Sequence, residues 1–321
     1  MKIALLGTGF GQAHAAVYAT RDDVDEVIVF GRTPAKLQKI ADDFGFATTT
    51  DLDALITDPS VDLVDICLPT PLHADTAVRA MEAGKDVLVE LPLATSLDDA
   101  QRVIDTQRAT GRQVFVDMFS RFSPANAFLR EAAADQRYGA LLSLEVEGRT
   151  ALLWPGYDLG LDSLAMDMMH ADFDLVTSLL GAPQAVQVTS VEKPGGKGSA
   201  AEVVLDYPGA MARCSSSSLM PAPYQMGGGF RATFADAVLE LGMRADETNQ
   251  GTSQLTEYTE QEQRHIDLPD AGPYAQMIDH VLACLAGREK NRIEPAGAMD
   301  ALRLTLDVHH RLATPQAAPR S

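Results

Sequence analysis

The sequence predicts an α/β protein of two domains, with a doubly wound parallel sheet in the first and a large, mostly antiparallel open sheet in the second. Three observations support this prediction. A glycine-rich turn joins an apolar strand to a helical pattern at the amino terminus. Short apolar runs then alternate with helical patterns up to about residue 122, as in βαβ units. From about residue 140 the apolar period changes to two, which is typical of half-buried antiparallel strands.

The glycine-rich turn is the most informative segment. The strand Lys2–Leu6 runs directly into it, and a helical pattern follows at once. This order puts backbone N–H groups and the positive end of a helix dipole where a pyrophosphate can bind. The third glycine comes one position earlier than in GxGxxG, so a tight turn without a ligand is the alternative. The residues expected to bind a dinucleotide here are Gly7, Thr8, Gly9, Phe10 and Gly11.

These features predict a Rossmann domain over residues 1–122. Helices are expected at Pro34–Phe44, at Leu72–Ala83 and at Ala100–Gly111, the last with a start signal at Ser96. The further strands of the parallel sheet are expected at Val27–Phe30, Leu63–Leu68, Val87–Glu90 and Val114–Val116.

Residues 123–312 are predicted to form the second domain, with a disordered tail at 313–321. Helices are expected at Leu164–Leu180, Tyr274–Ala286 and Ala298–Leu312. The strands expected for its sheet are Leu142–Val146, Val186–Val191, Val203–Tyr207, Met211–Ser215, Arg231–Phe234, Val238–Leu241 and Gln254–Tyr258.

Composition narrows the classes of function. The net charge of −19 disfavours nucleic acid and anionic membranes as partners. No apolar run approaches the length of a membrane-spanning helix, and the amino terminus does not resemble a signal segment, so we expect a cytoplasmic protein. The three cysteines, Cys67, Cys214 and Cys284, are far apart and form no CxxC pair. We therefore expect reduced thiols, no metal site and chemistry on a small molecule.

The end of the second strand indicates the coenzyme. Folds of this kind that prefer NAD place an acid there, whereas this chain has Phe30-Gly31-Arg32-Thr33. The guanidinium of Arg32 can pair with the 2′-phosphate of NADP or stack on adenine, and Thr33 can donate a hydrogen bond to the phosphate. NADP is therefore the predicted coenzyme and NAD the alternative. Arg32 as a solvated loop residue is the non-functional interpretation.

Several motifs in the same order resemble the glucose-fructose oxidoreductase, inositol dehydrogenase and MocA family over nearly the whole chain. They are the glycine turn, the run Pro69-Thr70-Pro71-Leu72-His73, the entry Ala83-Gly84-Lys85-Asp86-Val87, Arg121-Phe122 with Pro124, and the helix with Asp167 to Asp174. The resemblance implies NAD(P)-dependent hydride transfer on sugars, cyclitols or related carbonyls. It also implies a homodimer or homotetramer formed through the second sheet. Coenzyme contacts are expected from Pro69, Thr70, His73, Glu90 and Leu91.

The chain departs from the family at two catalytic positions. Leu91 stands where members carry the lysine of Glu-Lys-Pro, and leucine cannot donate a proton. Ala171 stands where Asp-x-x-x-His-x-x-Asp expects histidine, and the nearby imidazole is His170. Spacings of three and four residues put Asp167, His170 and Asp174 on one helix face, where His170 and Asp167 can act as acid and base. His170 could instead bind a substrate hydroxyl or serve only in packing.

The expected substrate site is less polar than a sugar site, because Phe119 takes the place of an asparagine in the family. Substrate contacts are predicted from Phe119, Arg121, Trp154, Tyr157 and Asp174. The predicted function is transfer of a hydride between NADP and a sugar-like or less polar cyclic carbonyl, alcohol or imine. The alternative is a protein that binds the coenzyme, has lost the chemistry and serves in regulation.

Overall fold

The computed structural model describes residues 1–151, 159–195, 197–245 and 251–314. Trp154 and Tyr157, and residues 315–321 of the predicted disordered tail, lie outside the described residues. The chain divides into two compact units, of which the first contains residues 1–122 and 271–302 and the second contains residues 123–270 and the chain from 303 onward.

The first unit is built on a six-stranded parallel sheet. Its strands follow the order β3-β2-β1-β4-β5-β6. They are β1 (Lys2–Leu6), β2 (Glu26–Phe30), β3 (Ala47–Thr49), β4 (Leu63–Ile66), β5 (Asp86–Val89) and β6 (Val114–Val116). The helices that follow them are α1 (Gly11–Tyr18), α2 (Pro34–Phe44), α3 (Leu52–Thr57), α4 (His73–Glu82) and α5 (Leu97–Thr110). The doubly wound parallel sheet predicted from the sequence is thereby confirmed.

The residues predicted to begin and end helices do so in the structure. Ser96 caps α5 by accepting a hydrogen bond from the backbone N–H of Asp99 at 3.1 Å. Gly45 and Gly111 end α2 and α5 in the left-handed conformation that glycine adopts readily. The edge strand β3 and helix α3 were not predicted, because Ala47–Thr49 is short and mostly exposed and therefore carries little apolar pattern.

A late segment of the chain also belongs to the first unit. Helix α9 (Pro273–Leu285) buries Met277, Ile278 and Val281 and packs against α1. These residues were predicted to belong to the second domain because they follow its strands along the chain. The apolar face of α9 packs within the first unit. Packing, and not position in the sequence, therefore decides to which unit the helix belongs.

The second unit contains an eight-stranded sheet in the order β14-β13-β12-β11-β7-β10-β9-β8. Neighbouring strands are antiparallel except for the parallel pair β10 and β7. Its strands are β7 (Leu141–Ala151), β8 (Ala185–Glu192), β9 (Ser199–Tyr207), β10 (Ala210–Met220), β11 (Met226–Phe234), β12 (Ala237–Ala245), β13 (Gly251–Thr259) and β14 (Gln263–Ile266). The mostly antiparallel open sheet is therefore also confirmed.

The helices of the second unit cover one face of this sheet. They are α6 (Pro124–Ala134), α7 (Leu161–Leu164), α8 (His170–Leu180) and the part of α10 (Met299–Ala313) from residue 303 onward. A π-helical turn, Ala165–Met169, joins α7 to α8 without a break. Leu144, Val146, Ala212, Cys214 and Phe230 lie on the buried face of the sheet. The opposite face carries ion pairs such as Arg213 with Glu145, so the sheet is one-sided.

Among the described residues, no helix combines the length and the apolar character that crossing a bilayer requires.

Candidate functional site

The loop after β1 has the geometry that close approach of a phosphate requires. Gly7 has a φ of +128°, and a Cβ there would overlap the carbonyl oxygen of Cys67. At Gly9 a Cβ would meet no atom within 4 Å, so the outer side of the loop is open. Helix α1 begins at Gly11, directly after the loop, and the backbone N–H groups of Gln12 and Ala13 donate to the carbonyl oxygens of Gly9 at 3.1 Å and Phe10 at 2.9 Å. The loop therefore fits the pyrophosphate of a dinucleotide.

The end of β2 presents cations to solvent. Arg32 and Lys36 are exposed, and neither side chain makes a hydrogen bond or ion pair within the described residues. Lys36 lies in the first turn of α2, where its backbone N–H donates to the carbonyl of Thr33 at 3.0 Å. Arg32 and Thr33 were predicted from the sequence to bind coenzyme, and Lys36 was not considered, although its position three residues after Thr33 was the available signal. Two exposed cations at this point suit a phosphate.

The turns after β4 and β5 are tied together by His73. Its Nδ1 lies 2.8 Å from the carbonyl oxygen of Pro92, and its Nε2 lies 2.6 Å from that of Leu68. Burial lowers the pKa of His73, although the carbonyl contacts oppose this change. Pro69 is exposed and Thr70 and Leu91 are partly exposed, so they remain accessible for the coenzyme contacts predicted for them. The contacts of His73 support the two turns, and its direct binding of coenzyme stays a prediction.

A buried polar network lies beneath the loop. His14 Nδ1 lies 2.7 Å from Asp65, and His14 Nε2 lies 2.9 Å from Asp117. Tyr18 donates its hydroxyl to Asp65 at 2.7 Å. His14, Asp65 and Asp117 have no exposed surface. Burial disfavours the imidazolium, but the two carboxylates outweigh it and raise the pKa of His14 well above its usual value.

Glu90 and Cys67 border this network and are nearly inaccessible. Burial, and then the charge of Asp117, raises the pKa of Glu90, and burial raises the pKa of Cys67. Ligand atoms of His14, Cys67 and Glu90 lie within 4.8 Å of one another. Both imidazole nitrogens already bond carboxylates, so the observed contacts describe a hydrogen-bonded network. The sequence analysis missed Asp65 and Asp117, although an acid inside the apolar strand Leu63–Leu68 was a usable signal.

Phe119 and Arg121 have structural contacts in the first unit. Phe119 stacks on Tyr274, with ring centroids 4.5 Å apart and an interplanar angle of 15°. The guanidinium of Arg121 donates to the carbonyl oxygens of Arg292 at 3.1 Å and Gly297 at 2.9 Å. Both side chains are partly exposed, and their binding of substrate stays a prediction.

The second unit separates three residues that helical spacing had put on one face. Asp167 is exposed, whereas His170 and Asp174 are each 2% exposed. His170 Nδ1 lies 2.7 Å from the hydroxyl of Thr305, and Asp174 pairs with Arg130 at 3.4 Å. The predicted placement requires a regular α-helix. The π-helical turn that contains Asp167 changes the angle between successive side chains, so spacings of three and four residues no longer put them on one face. An accessible face bearing all three residues is therefore not observed.

A neighbouring carboxyl was missed. Asp172 is partly exposed on α8, and burial raises its pKa to about 7. Its charge is felt by Cys214 on β10, whose pKa is raised first by burial and then by Asp172. Asp172 was not predicted as a site residue from the sequence, because it lies outside the family motif.

The parallel sheet, the open glycine loop and the second antiparallel sheet define a two-domain protein with a dinucleotide-binding Rossmann unit. Residues 1–118 match the model of the GFO_IDH_MocA family, described as "Oxidoreductase family, NAD-binding Rossmann fold". The match confirms, over these residues, the family resemblance seen in the sequence.

Relatives extend the likeness beyond this domain. The chain is 36% identical over 131 residues to 4-carboxy-2-hydroxymuconate-6-semialdehyde dehydrogenase of Sphingobium sp., a match that covers 40% of this chain and 42% of that relative. It is 25% identical to a D-xylose 1-dehydrogenase (NADP(+)) of Haloferax volcanii over 99% of both chains. The structure of UDP-N-acetylglucosamine 3-dehydrogenase from Acidithiobacillus ferrooxidans superposes with a TM-score of 0.81, 24% identity and 97% coverage of each chain. That structure shares the fold.

Proposed function

We propose that this protein is an NADP-linked oxidoreductase that transfers a hydride to or from a sugar-like or less polar cyclic carbonyl, alcohol or imine. The observation that carries the proposal is the open glycine loop together with Arg32 and Lys36, which lie exposed and without partners in the described chain. In a protein of net charge −19, such local cations are what a 2′-phosphate requires. The named activities of the Sphingobium and Haloferax relatives support the same class of reaction.

The first unit would hold the coenzyme, which supplies the hydride when bound. The loop at Gly7 to Gly11 would hold the pyrophosphate, and Glu90 and Leu91 would lie beside the nicotinamide. Since Leu91 cannot hold a proton, other residues must act as acid and base, and the resemblance favours His170 and Asp167. An imine needs less help than a ketone, because its protonated nitrogen is already electrophilic.

Binding and turnover test this function separately. NADPH and NADH affinities are measured by fluorescence titration, and NADPH oxidation is followed with a panel of keto-sugars, cyclic ketones and imines. We expect tighter binding of NADPH and turnover with at least one member of the panel. Tight NADPH binding without turnover on any compound favours the alternative of a regulatory coenzyme-binding protein. Failure to bind either coenzyme contradicts both functions.

Coenzyme preference depends on Arg32 in this proposal. Arg32→Ala should weaken NADPH binding by roughly 10- to 100-fold, since a hydrogen bond to a charged group contributes about 1.5–3 kcal/mol. NADH has no 2′-phosphate, so its affinity should change little. Lys39→Ala is the matched control, because Lys39 is exposed on the same helix α2 and pairs with Asp43. Equal weakening of NADH and NADPH would assign Arg32 to adenine stacking or to loop structure.

A further inference from the structure

The buried polar network of the first unit lies at the carboxyl ends of neighbouring strands. Cys67 directly follows β4, Glu90 directly follows β5 and Asp117 directly follows β6. A sheet of the order β3-β2-β1-β4-β5-β6 consists of two mononucleotide-binding halves, and ligands bind outside the carboxyl ends of its strands. Arg32, proposed for the 2′-phosphate, follows β2 in one half. The nicotinamide half of the coenzyme therefore belongs to the ends of β4, β5 and β6, where the network lies.

The hydrogen bonds of His14 define the charge of this network. Its Nδ1 lies 2.7 Å from Asp65 and its Nε2 lies 2.9 Å from Asp117. Because an ionised carboxylate can only accept a hydrogen bond, both ring nitrogens donate and the side chain is an imidazolium. One positive charge then faces two negative charges, so the network is already negative before Glu90 is counted.

Glu90 is an acid of this group without a cation bonded to it. Its Oε2 accepts a hydrogen bond from the backbone N–H of Leu91 at 3.0 Å, and no ion pair to its carboxyl is formed by any residue that the structure describes. Polar atoms of Glu90, His14 and Cys67 lie within 4.8 Å of one another, but both N–H groups of His14 are used by the two aspartates. Glu90 is 7% exposed, so its carboxylate would be buried without a partner of its own.

The surroundings of Glu90 favour its protonated form. The titratable side chains around it, from α1, the strand ends and α9, are those of His14, Tyr18, Asp65, Cys67, Asp117 and Tyr274. None of these is a lysine or an arginine. Burial, followed by the charge of Asp117, raises the pKa of Glu90 well above its usual value, although the charge of His14 opposes this change. The carboxyl therefore keeps its proton at a pH where an exposed glutamate is ionised.

We propose that Glu90 releases its proton when the oxidised coenzyme binds and keeps it when the reduced coenzyme binds. This coupling rests on the proposed function, since it requires a coenzyme at this edge of the sheet. The nicotinamide ring carries a positive charge in NADP⁺ and none in NADPH, whereas the phosphates are the same in both. A cation at the ends of β4 and β5 supplies the charge that the Glu90 carboxylate lacks. The O–H bond of the carboxylic acid breaks, and the proton passes to solvent.

The coupling makes Glu90 a residue that distinguishes the two redox states of the coenzyme. An opposite charge within about 4–6 Å changes the ionisation equilibrium of a carboxyl by about 10- to 1,000-fold. By linkage, the affinity for NADP⁺ increases by the same factor once the carboxyl is ionised. Because NADP⁺ binding releases a proton, the preference for NADP⁺ over NADPH should increase as pH rises. Contributions from the phosphates cancel in this ratio.

Isothermal titration calorimetry in buffers of different ionisation enthalpy measures the proton release directly. At neutral pH, we expect the wild type to release more protons with NADP⁺ than with NADPH, with a difference approaching about one proton per chain. The same titrations give the ratio of the two dissociation constants at each pH. Neither readout requires a substrate or turnover.

Glu90→Gln tests the role of this carboxyl. Glutamine keeps an oxygen that can accept the hydrogen bond of the Leu91 N–H, but it has no proton to release. The difference in proton release between NADP⁺ and NADPH should disappear, and the preference for NADP⁺ should fall ~10-fold or more. Glu82→Gln is the matched control, because Glu82 is an exposed acid at the end of α4 and undergoes the same chemical change. We expect it to behave like the wild type.

The pH dependence of stability reports on Glu90 without coenzyme. Folding raises the pKa of Glu90 above 4.5, so the folded state holds a proton that the unfolded state has lost as pH rises above this value. The free energy of unfolding, measured by urea titration, should therefore decrease as pH rises from 4.5 toward the raised pKa. In Glu90→Gln that decrease should be smaller, while Glu82→Gln should match the wild type.

Equal proton release with NADP⁺ and NADPH in the wild type would overturn the coupling and leave the proposed function standing. A difference in release that survives in Glu90→Gln would also overturn it, because the proton would then come from another group such as His14. The same holds for a pH dependence of unfolding that Glu90→Gln does not alter. A wild-type protein that binds neither coenzyme overturns the proposed function, and the coupling with it.

Discussion

Three buried titratable side chains, His14, Asp65 and Asp117, lie in the core of the first unit, which is unusual for a Rossmann fold. Strands of a parallel sheet are normally apolar on both faces, yet Asp65 lies within β4 with no exposed surface. Such a group is tolerated only when its hydrogen bonds are complete, and His14 and Tyr18 supply them here. The network joins α1, β4 and the segment after β6, so it holds the coenzyme loop in place.

Removing one charge from this network should be costly. Asp117→Asn leaves the His14 imidazolium with one carboxylate instead of two, and breaking a buried pair costs about 3–5 kcal/mol. We expect a loss of this size in the free energy of unfolding, measured by urea titration. Asp43→Asn, which removes an exposed ion pair with Lys39, should change it by less than about 1 kcal/mol. Equal stability of the two variants would show that His14 is neutral in the folded protein.

At the scale of single residues, the sequence predicted the groups that local motifs identify and missed those that meet only in space. The glycines of the first loop and Arg32 could be predicted as coenzyme contacts because these predictions follow from neighbouring residues. His14, Asp65 and Asp117 come from three separate segments, and no short motif joins them.

At the scale of elements, the loop between β1 and α1 contains two glycines, Gly7 and Gly9, at which an added side chain would have different effects. Gly7→Ala should destabilise the protein by about 3 kcal/mol or more, because it combines a positive φ with overlap between a Cβ and the Cys67 carbonyl. Gly9→Ala meets no protein atom and should change the free energy of unfolding by less than about 0.5 kcal/mol. A Cβ at Gly9 does enter the space proposed for the phosphates.

Comparing the two variants separates folding from binding. Urea titration measures stability, and fluorescence titration measures the affinity for NADPH. We expect Gly9→Ala to fold normally and to bind NADPH at least ~10-fold more weakly, as loss of close backbone approach implies. Normal NADPH affinity in Gly9→Ala would argue against binding of the pyrophosphate at this loop.

The elements themselves follow closely from apolar periodicity and from capping residues. Strands β3 and β14, which periodicity missed, are short and largely exposed edge strands, so no buried face marks them in the sequence. The π-helical turn at Ala165–Met169 is a different case. Its residues fit an ordinary helical pattern, and the displaced register appears only in the backbone hydrogen bonds. That single turn explains why helical spacing misplaced His170 relative to Asp167.

At the scale of the whole molecule, the position of a segment along the chain does not predict to which of the two compact units it belongs. Residues 271–302 follow the second sheet in sequence and pack with the first unit. Tyr274 stacks on Phe119 and the carbonyl oxygens of Arg292 and Gly297 accept hydrogen bonds from Arg121. These contacts span more than 150 residues of sequence, so composition and periodicity do not reveal them.

The remaining prediction at this scale is the oligomeric state, a homodimer or homotetramer, and it rests on the family resemblance. The open face of the second sheet displays ion pairs among Glu145, Arg213 and Arg231, and beside them Met211 is 48% exposed. If this face joins copies of the chain, light scattering at micromolar concentration should give two or four times the chain mass of 34.4 kDa. Met211→Glu adds a buried charge to such an interface and should lower the mass toward the monomer.

The same substitution at an exposed apolar residue of the first unit supplies the control. Leu72 is 44% exposed, so Leu72→Glu makes an equal change of charge and polarity on the other unit. We expect its mass to equal that of the wild type. A wild-type mass of 34.4 kDa contradicts the predicted oligomer. An oligomer that survives Met211→Glu and is lost in Leu72→Glu would instead assign the interface to the first unit, because a carboxylate disrupts only the surface on which it is buried.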